Sequence, residues 1–277
     1  MIEVQNLTKT FGKLKAVDDI SFTVQEGEIF GFLGRNGAGK TVTIKMLTTQ
    51  MLPTSGKVRI DGYDPITESL KVKKIVGVMP EIQNLYVRMT ASENLSLFAK
   101  LYRVSQNRVR ELLKMFQLEE WANKLVKTFS LGMKQRLLFA RALLACPKIL
   151  FLDEPTNALD PQAADFVREM IKEINRQGIT IFLTTHYIEE AEMLSHRVAI
   201  IEKGKIVACD TVERLKKDTV GENYIKITYK NLEETKIPSS EISRLSEIIK
   251  GKEVSALEIE KPTLRDAFIS LTGKDIK

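Results

Sequence analysis

The sequence predicts an α/β fold in which a mainly parallel sheet carries helices on both faces. Three observations lead there. Residues 28–33 (EIFGFL), 148–152 (KILFL) and 179–185 (ITIFLTT) are short, nearly continuous apolar runs, as strands buried on both faces are. Stretches with helical spacing separate them, and parallel strands need helix-length crossovers. The remaining strand-like segments alternate apolar and polar residues, the period of half-buried antiparallel strands.

The elements follow in order. Ile2 and Val4, and then Ile20, Phe22 and Val24, alternate with polar residues around a turn at Phe11-Gly12-Lys13. The run at 28–33 leads straight into GRNGAGKT and a helix through Met46 to about Gln50, closed by Pro53-Thr54-Ser55-Gly56. Residues 57–60 and 75–79 read as strands, the first turning at Asp61-Gly62. From 91 to about 144 the period becomes helical: Leu95, Phe98, Ala99 and Tyr102 form one stripe, and Val109, Leu112, Leu113 and Phe116 another, with Ser92 as a cap. This block reads as a helical insertion. The strand at 148–152 ends in Asp153-Glu154, a helix starts with Pro161 in its first turn, and Gly178 ends it. Residues 197–201 and 205–208 form a hairpin around Lys203-Gly204. Beyond about 217 the texture changes to strand 224–229, helix 242–249, strand 254–259 and helix 264–271. The division is therefore 1–218 for the main domain and 219–277 for a small α+β appendage.

Composition narrows the class. The chain has 277 residues, 43% hydrophobic and 28% charged, which excludes a disordered or collagen-like chain. Its two cysteines, Cys146 and Cys209, make no CxxC pair or Cys/His cluster. They are expected to be buried thiols in a reducing compartment. No apolar signal-like segment opens the chain, and no run approaches the ~20 apolar residues of a membrane span. A cytoplasmic protein is expected. The net charge of +6 favours an anionic partner weakly.

Gly34-Arg35-Asn36-Gly37-Ala38-Gly39-Lys40-Thr41 matches G-x-x-x-x-G-K-[ST] between a buried strand and a helix. Glycines let backbone N–H groups converge on phosphate oxygens, and the helix N-terminus adds partial positive charge. Lys40 would neutralise the β and γ phosphates, and the Thr41 hydroxyl would ligate Mg²⁺. Asp153, at the end of an apolar strand, can hold Mg²⁺. Glu154 can orient and deprotonate an attacking water. His186, just past the third buried strand, should lie at the carboxyl edge of the sheet and could hydrogen-bond the γ-phosphate or the water. His196 receives no role.

In order, GRNGAGKT, FSLGMKQRL (129–137), ILFLDEPTNALD (149–160) and TTHYIEEAE (184–192) make the chain resemble the nucleotide-binding subunit of an ATP-binding cassette (ABC) transporter, a P-loop NTPase. The resemblance implies an N-terminal antiparallel β subdomain beside the parallel sheet. It places Phe11 where an aromatic stacks on adenine. Gly34, Arg35, Asn36, Gly37, Ala38, Gly39, Lys40, Thr41 and Val42 become the phosphate loop and its continuation. Ser130 and Gly132 become the signature loop and Asp160 the D-loop aspartate, all acting on ATP held by the opposite subunit. Asp153, Glu154 and His186 match the metal carboxylate, the catalytic base and the switch histidine. One chain would then be half a working unit: two subunits sandwich two ATPs head to tail, and closure drives membrane permease subunits. ATP and Mg²⁺ are the implied ligands.

Three departures stand out. The signature reads Ser130-Leu131-Gly132-Met133, keeping the hydroxyl and the second glycine. Glu81 stands where the family has a lid glutamine; its carboxylate could still ligate Mg²⁺, with Gln83 a weaker substitute. Val42 replaces a hydroxyl, removing one α-phosphate contact. The tail KPTLRDAF (261–268), followed by Leu271-Thr272-Gly273, resembles the ATPases of ABC-2-type exporters; Leu264, Ala267, Phe268 and Leu271 also share one face, as in a helix packed on its own domain. The resulting expectation is an ATPase at the inner face of the cell membrane that drives export through separate permeases, with no nucleic-acid partner. An importer ATPase, and a soluble ABC ATPase acting on ribosomes or chromosomes, are the alternatives. Residues 71–74 (KVKK) and 214–217 (RLKK) are expected to be solvated helix faces rather than lipid contacts.

Overall fold

The computed structural model describes residues 1–220, 223–251, 253–273 and 275, and the chain divides into two compact units, Met1–Cys209 and Asp210–Lys277. The division falls ahead of the expected 218 because a helix at Val212–Val220 packs on the helix at Leu264–Thr272.

In the first unit β1 (Ile2–Phe11), β2 (Leu14–Val24) and β4 (Ser55–Ile60) form an antiparallel sheet in the order β2-β1-β4. A six-stranded sheet runs β5-β6-β7-β3-β8-β9, with β3 (Ile29–Leu33), β5 (Val76–Met79), β6 (Ile149–Asp153), β7 (Thr180–Thr185) and β8 (Arg197–Glu202) all parallel. β9 (Lys205–Thr211) closes it through the hairpin at Lys203-Gly204.

The buried runs place successive side chains on opposite faces, and each face has its own core. Leu150, Leu152, Ile181 and Leu183 join the helical side, which holds α3 (Ala91–Tyr102), α4 (Gln106–Met115), α5 (Leu131–Ala142) and α6 (Pro161–Arg176). Ile149, Phe151, Phe30, Phe32 and Phe182 face α1 (Lys40–Leu47) and the antiparallel sheet. There Phe22 stacks on Phe30 with centroids 5.4 Å apart. Full burial of each such ring contributes about 1.5–3 kcal/mol. α2 (Ser69–Ile75) and α7 (Ile188–Leu194) complete the unit.

Several local expectations change. α1 ends at Leu47 rather than near Gln50, and Ile75 belongs to α2 rather than to the following strand. Thr90, not Ser92, caps α3: its hydroxyl accepts from the Glu93 amide while Glu93 accepts from the Thr90 amide. Cys146 is exposed and Cys209 half-buried beside Arg197, so neither is the buried thiol expected. Cys146, in the turn after α5, has φ +49° and donates its amide to the Leu143 carbonyl at 3.1 Å. On α2, Lys71, Lys73 and Lys74 are exposed around a buried Val72.

The second unit carries α8 (Val212–Val220), β10 (Tyr224–Tyr229), β11 (Glu234–Pro238), α9 (Leu245–Ile248), β12 (Val254–Glu260) and α10 (Leu264–Thr272). Its antiparallel sheet runs β11-β10-β12. Ile225, Ile227 and Ile237 pack under Leu245, Ile248 and Ile249. The expected helix at 242–249 begins as a 3-10 turn at Ser239–Arg244. In α10, Leu264, Ala267 and Phe268 are fully buried. Among the described residues no helix is long and apolar enough to cross a membrane.

Candidate functional site

β3 delivers the chain to the carboxyl edge of the parallel sheet, where open α/β sheets bind ligands. The phosphate-loop segment turns there into α1. Gly39 has φ +111°, and a Cβ on it would sit 2.5 Å from the Ala16 carbonyl oxygen, so only glycine fits. Asn36, Gly37, Gly39, Lys40, Thr41 and Val42 line a cavity of about 220 Å³ with Ala16, Glu81 and Glu154. Arg35 and Ala38 close the loop through an Ala38 amide bond to the Arg35 carbonyl, and Gly34 lies beneath it. The Lys40 ammonium donates to the Gly34 carbonyl at 2.6 Å and the Arg35 carbonyl at 3.2 Å.

β6 and β7 supply the acidic side. Asp153 Oδ1 accepts from Thr184 Oγ1 at 2.6 Å and from Thr41 Oγ1 at 3.3 Å. Burial pushes the Asp153 carboxyl up from its ordinary range, and the two hydroxyls pull against that. Glu154 sits in the left-handed region at φ +51°, a conformation that costs a non-glycine residue about 1–3 kcal/mol. Its amide donates to the Thr184 carbonyl at 3.1 Å. One carboxylate oxygen lies 3.0 Å from Lys40 Nζ; the other meets His186 Nδ1 at 2.7 Å and the His186 amide at 3.3 Å. Lys40, Thr41, Asp153, Glu154 and His186 therefore converge on one edge of the sheet. Glu81 joins them on the cavity wall, whereas Gln83 turns away to Gln135 at 3.5 Å.

The remaining candidates lie elsewhere. Ser130 caps α5 through the Met133 amide at 3.2 Å, and Asp160 caps α6 through the Ala163 amide at 2.8 Å. Gly132 lies between them, and a Cβ on it would sit 2.9 Å from the Ala163 Cβ. Ser130 and Asp160 are exposed at the paired helix starts with the buried Gly132 between them, and none of the three lines the cavity. Phe11, at the end of β1, is 45% exposed, with Lys9 Nζ 5.2 Å from its ring centre, and it too stands apart from the lining set. His196 is structural: its Nδ1 accepts from the Ile29 amide at 2.9 Å.

Ala16, on the cavity wall, and Thr184, bonded to Asp153, are neighbours of the site that the motifs do not reveal. Ala16 arrives from β2, far from the loop in sequence, and carries no chemical signal. Thr184 was legible only as the residue before Thr185-His186. Chemically, the arrangement combines a backbone cradle for polyphosphate, oxygen donors suited to Mg²⁺ at Thr41 and Asp153, and a carboxylate that can accept a proton.

Residues 17–157 match the ABC transporter family. The chain is 42% identical over 219 residues to the bacitracin transport ATP-binding protein of Bacillus licheniformis, covering 78% of this chain and 72% of that one. It is 36% identical to the Nod factor export ATP-binding protein I of Paraburkholderia xenovorans, over 100% of this chain and 98% of the relative. Among solved structures, a dimeric ATP-binding cassette in a post-hydrolysis state with ADP and Pi superposes with a TM-score of 0.70 at 28% identity, covering 76% of this chain and 98% of that one.

Proposed function

The chain belongs to the ABC transporter family and is an ATPase subunit of it, and from that premise we propose that it powers export through separate membrane permeases as a head-to-tail dimer. The observation that carries the catalytic part is Glu154, a buried carboxylate held between Lys40 and His186 beside the phosphate loop.

In this reading the loop amides and Lys40 bind the phosphates, and Phe11 stacks on the adenine. Thr41, Asp153 and Glu81 would hold Mg²⁺, which when bound offsets the charge on the phosphate oxygens. Glu154 takes the proton of the attacking water, and His186 orients Glu154 through Nδ1. Ser130, Gly132 and Asp160 face the nucleotide of the second subunit, in keeping with their position outside the chain's own cavity. The relative named for Nod factor export supports the export direction, and the one named for bacitracin transport supports work with membrane partners. The helical side of the first unit would receive the permease.

Glu154→Gln tests the base assignment. The variant is expected to bind ATP normally and to accumulate as an ATP-bound dimer in sedimentation, while turnover falls about 10²–10⁴-fold. Wild-type turnover would remove Glu154 from that role.

A further inference from the structure

Glu190 lies in the first turn of α7 and is 1% exposed, outside the set that lines the cavity. A buried carboxylate needs hydrogen bonds. Its Oε1 accepts from Thr156 Oγ1 at 2.7 Å, Arg168 Nε on α6 stands 3.8 Å away, and the Thr185 hydroxyl is its other polar neighbour.

Thr156 matters by position: it lies two residues past Glu154, and Glu190 lies four residues past His186. Glu154 holds a left-handed backbone that persists only where the surroundings over-determine it. The chain beyond it is tied at two points. Gln135 Nε2 donates to the Pro155 carbonyl at 2.7 Å, and Glu190 receives the Thr156 hydroxyl. Glu190 thus ties the segment after Glu154 to the segment after His186, on either side of the 2.7 Å Glu154–His186 contact.

We propose that Glu190 is a positioning residue for hydrolysis, holding Glu154 in register with His186 by clamping Thr156 to α7 without touching nucleotide. This rests on the reading of Glu154 as the base. Burial raises the carboxyl of Glu190, and its polar neighbours Thr185 and Thr156, with Arg168 after them, pull it back down.

The test uses the full chain, with turnover followed against ATP concentration. Glu190→Ala is expected to lower kcat about 10-fold or more while KM for ATP stays within about 2-fold, as misplacement of a reacting group does. Glu190→Gln keeps an acceptor for Thr156 and should recover kcat to within about 3-fold. Thr156→Val should match Glu190→Ala, and the double variant should be no worse than either alone. Wild-type kcat in Glu190→Ala, a change confined to KM, or additive losses would overturn the proposal. If Glu190→Ala does not fold, Thr156→Val against Thr156→Ser decides, with Thr156→Ser expected to keep kcat within about 3-fold and Thr156→Val to lose about 10-fold or more. Hydrogen exchange without nucleotide gives a second readout: amides at 154–160 should exchange about 10-fold faster in Glu190→Ala and near the wild-type rate in Glu190→Gln. Wild-type turnover in Glu154→Gln would sink the base reading. Full activity of Glu190→Ala where Glu154→Gln is dead would sink the clamp alone.

Discussion

Glu190 shows how much a single residue's environment decides. Its folded-state pKa is raised, with burial the largest cause. A raised carboxyl binds its proton more tightly in the folded chain than in the unfolded one, so its charge costs stability above the folded pKa, and that cost fades as pH falls toward the unfolded value. Glu190→Gln is therefore expected to raise Tm at neutral pH, with the gain shrinking as the pH is lowered. Thermal unfolding across a pH series checks this, and a pH-independent difference would contradict it. Nothing in Glu189-Glu190 told the two acids apart in the sequence. Their separation, one nearly solvent-free and one exposed, comes from which side of α7 faces Thr156. Lys40, Thr41, Asp153 and Glu154 were legible because the chemistry fixes both residue type and spacing.

At the scale of elements, strands and helices were read correctly where one period dominates. The five-residue runs of β3 and β6 are buried throughout. Boundaries shifted where local bonds compete: the Thr90–Glu93 box starts α3 ahead of Ser92. β11 went unread because it is short and carries charged residues, and α8 was read only as the helix face at 214–217, its packing on α10 lying far off in sequence. Close packing between elements was also invisible. Gly77 on β5 pairs with Leu150, and a Cβ there would overlap the Ala142 carbonyl at the end of α5 and touch Pro147. Gly77→Ala is expected to destabilise the chain by about 1–3 kcal/mol through overpacking. Urea unfolding would show a lower midpoint at unchanged slope, and an unchanged midpoint would mean that α5 moves freely.

For the whole molecule, the arrangement that matters is the separation of Ser130, Gly132 and Asp160 from the cavity that Lys40 and Glu154 line. If each nucleotide is shared by two copies, defects in the two halves should complement. Lys40→Ala and Ser130→Arg are each expected to be inactive alone. Mixed and allowed to exchange, half of the dimers carry one intact site, and up to about a quarter of wild-type turnover should return. No recovery despite exchange, followed by pull-down of differently tagged copies, would argue against shared sites. The signature residues read as trans-acting only by resemblance; the helix caps that bring Ser130 and Asp160 to neighbouring helix starts came from the fold.

The sequence by itself determined the parallel α/β architecture and the candidate residues, Lys40, Thr41, Asp153, Glu154 and His186, that meet at one edge of the sheet. Buried strands and phosphate chemistry leave local, ordered marks that need no knowledge of distant neighbours. The tertiary structure alone decided that Ala16 closes the cradle, that Thr184 holds Asp153, that Glu81 rather than Gln83 faces the cavity, and that Glu190 is buried behind Glu154 and His186. Each of these is a contact between segments far apart in the chain, and its value depends on burial and on hydrogen-bond geometry that no short stretch of residues encodes.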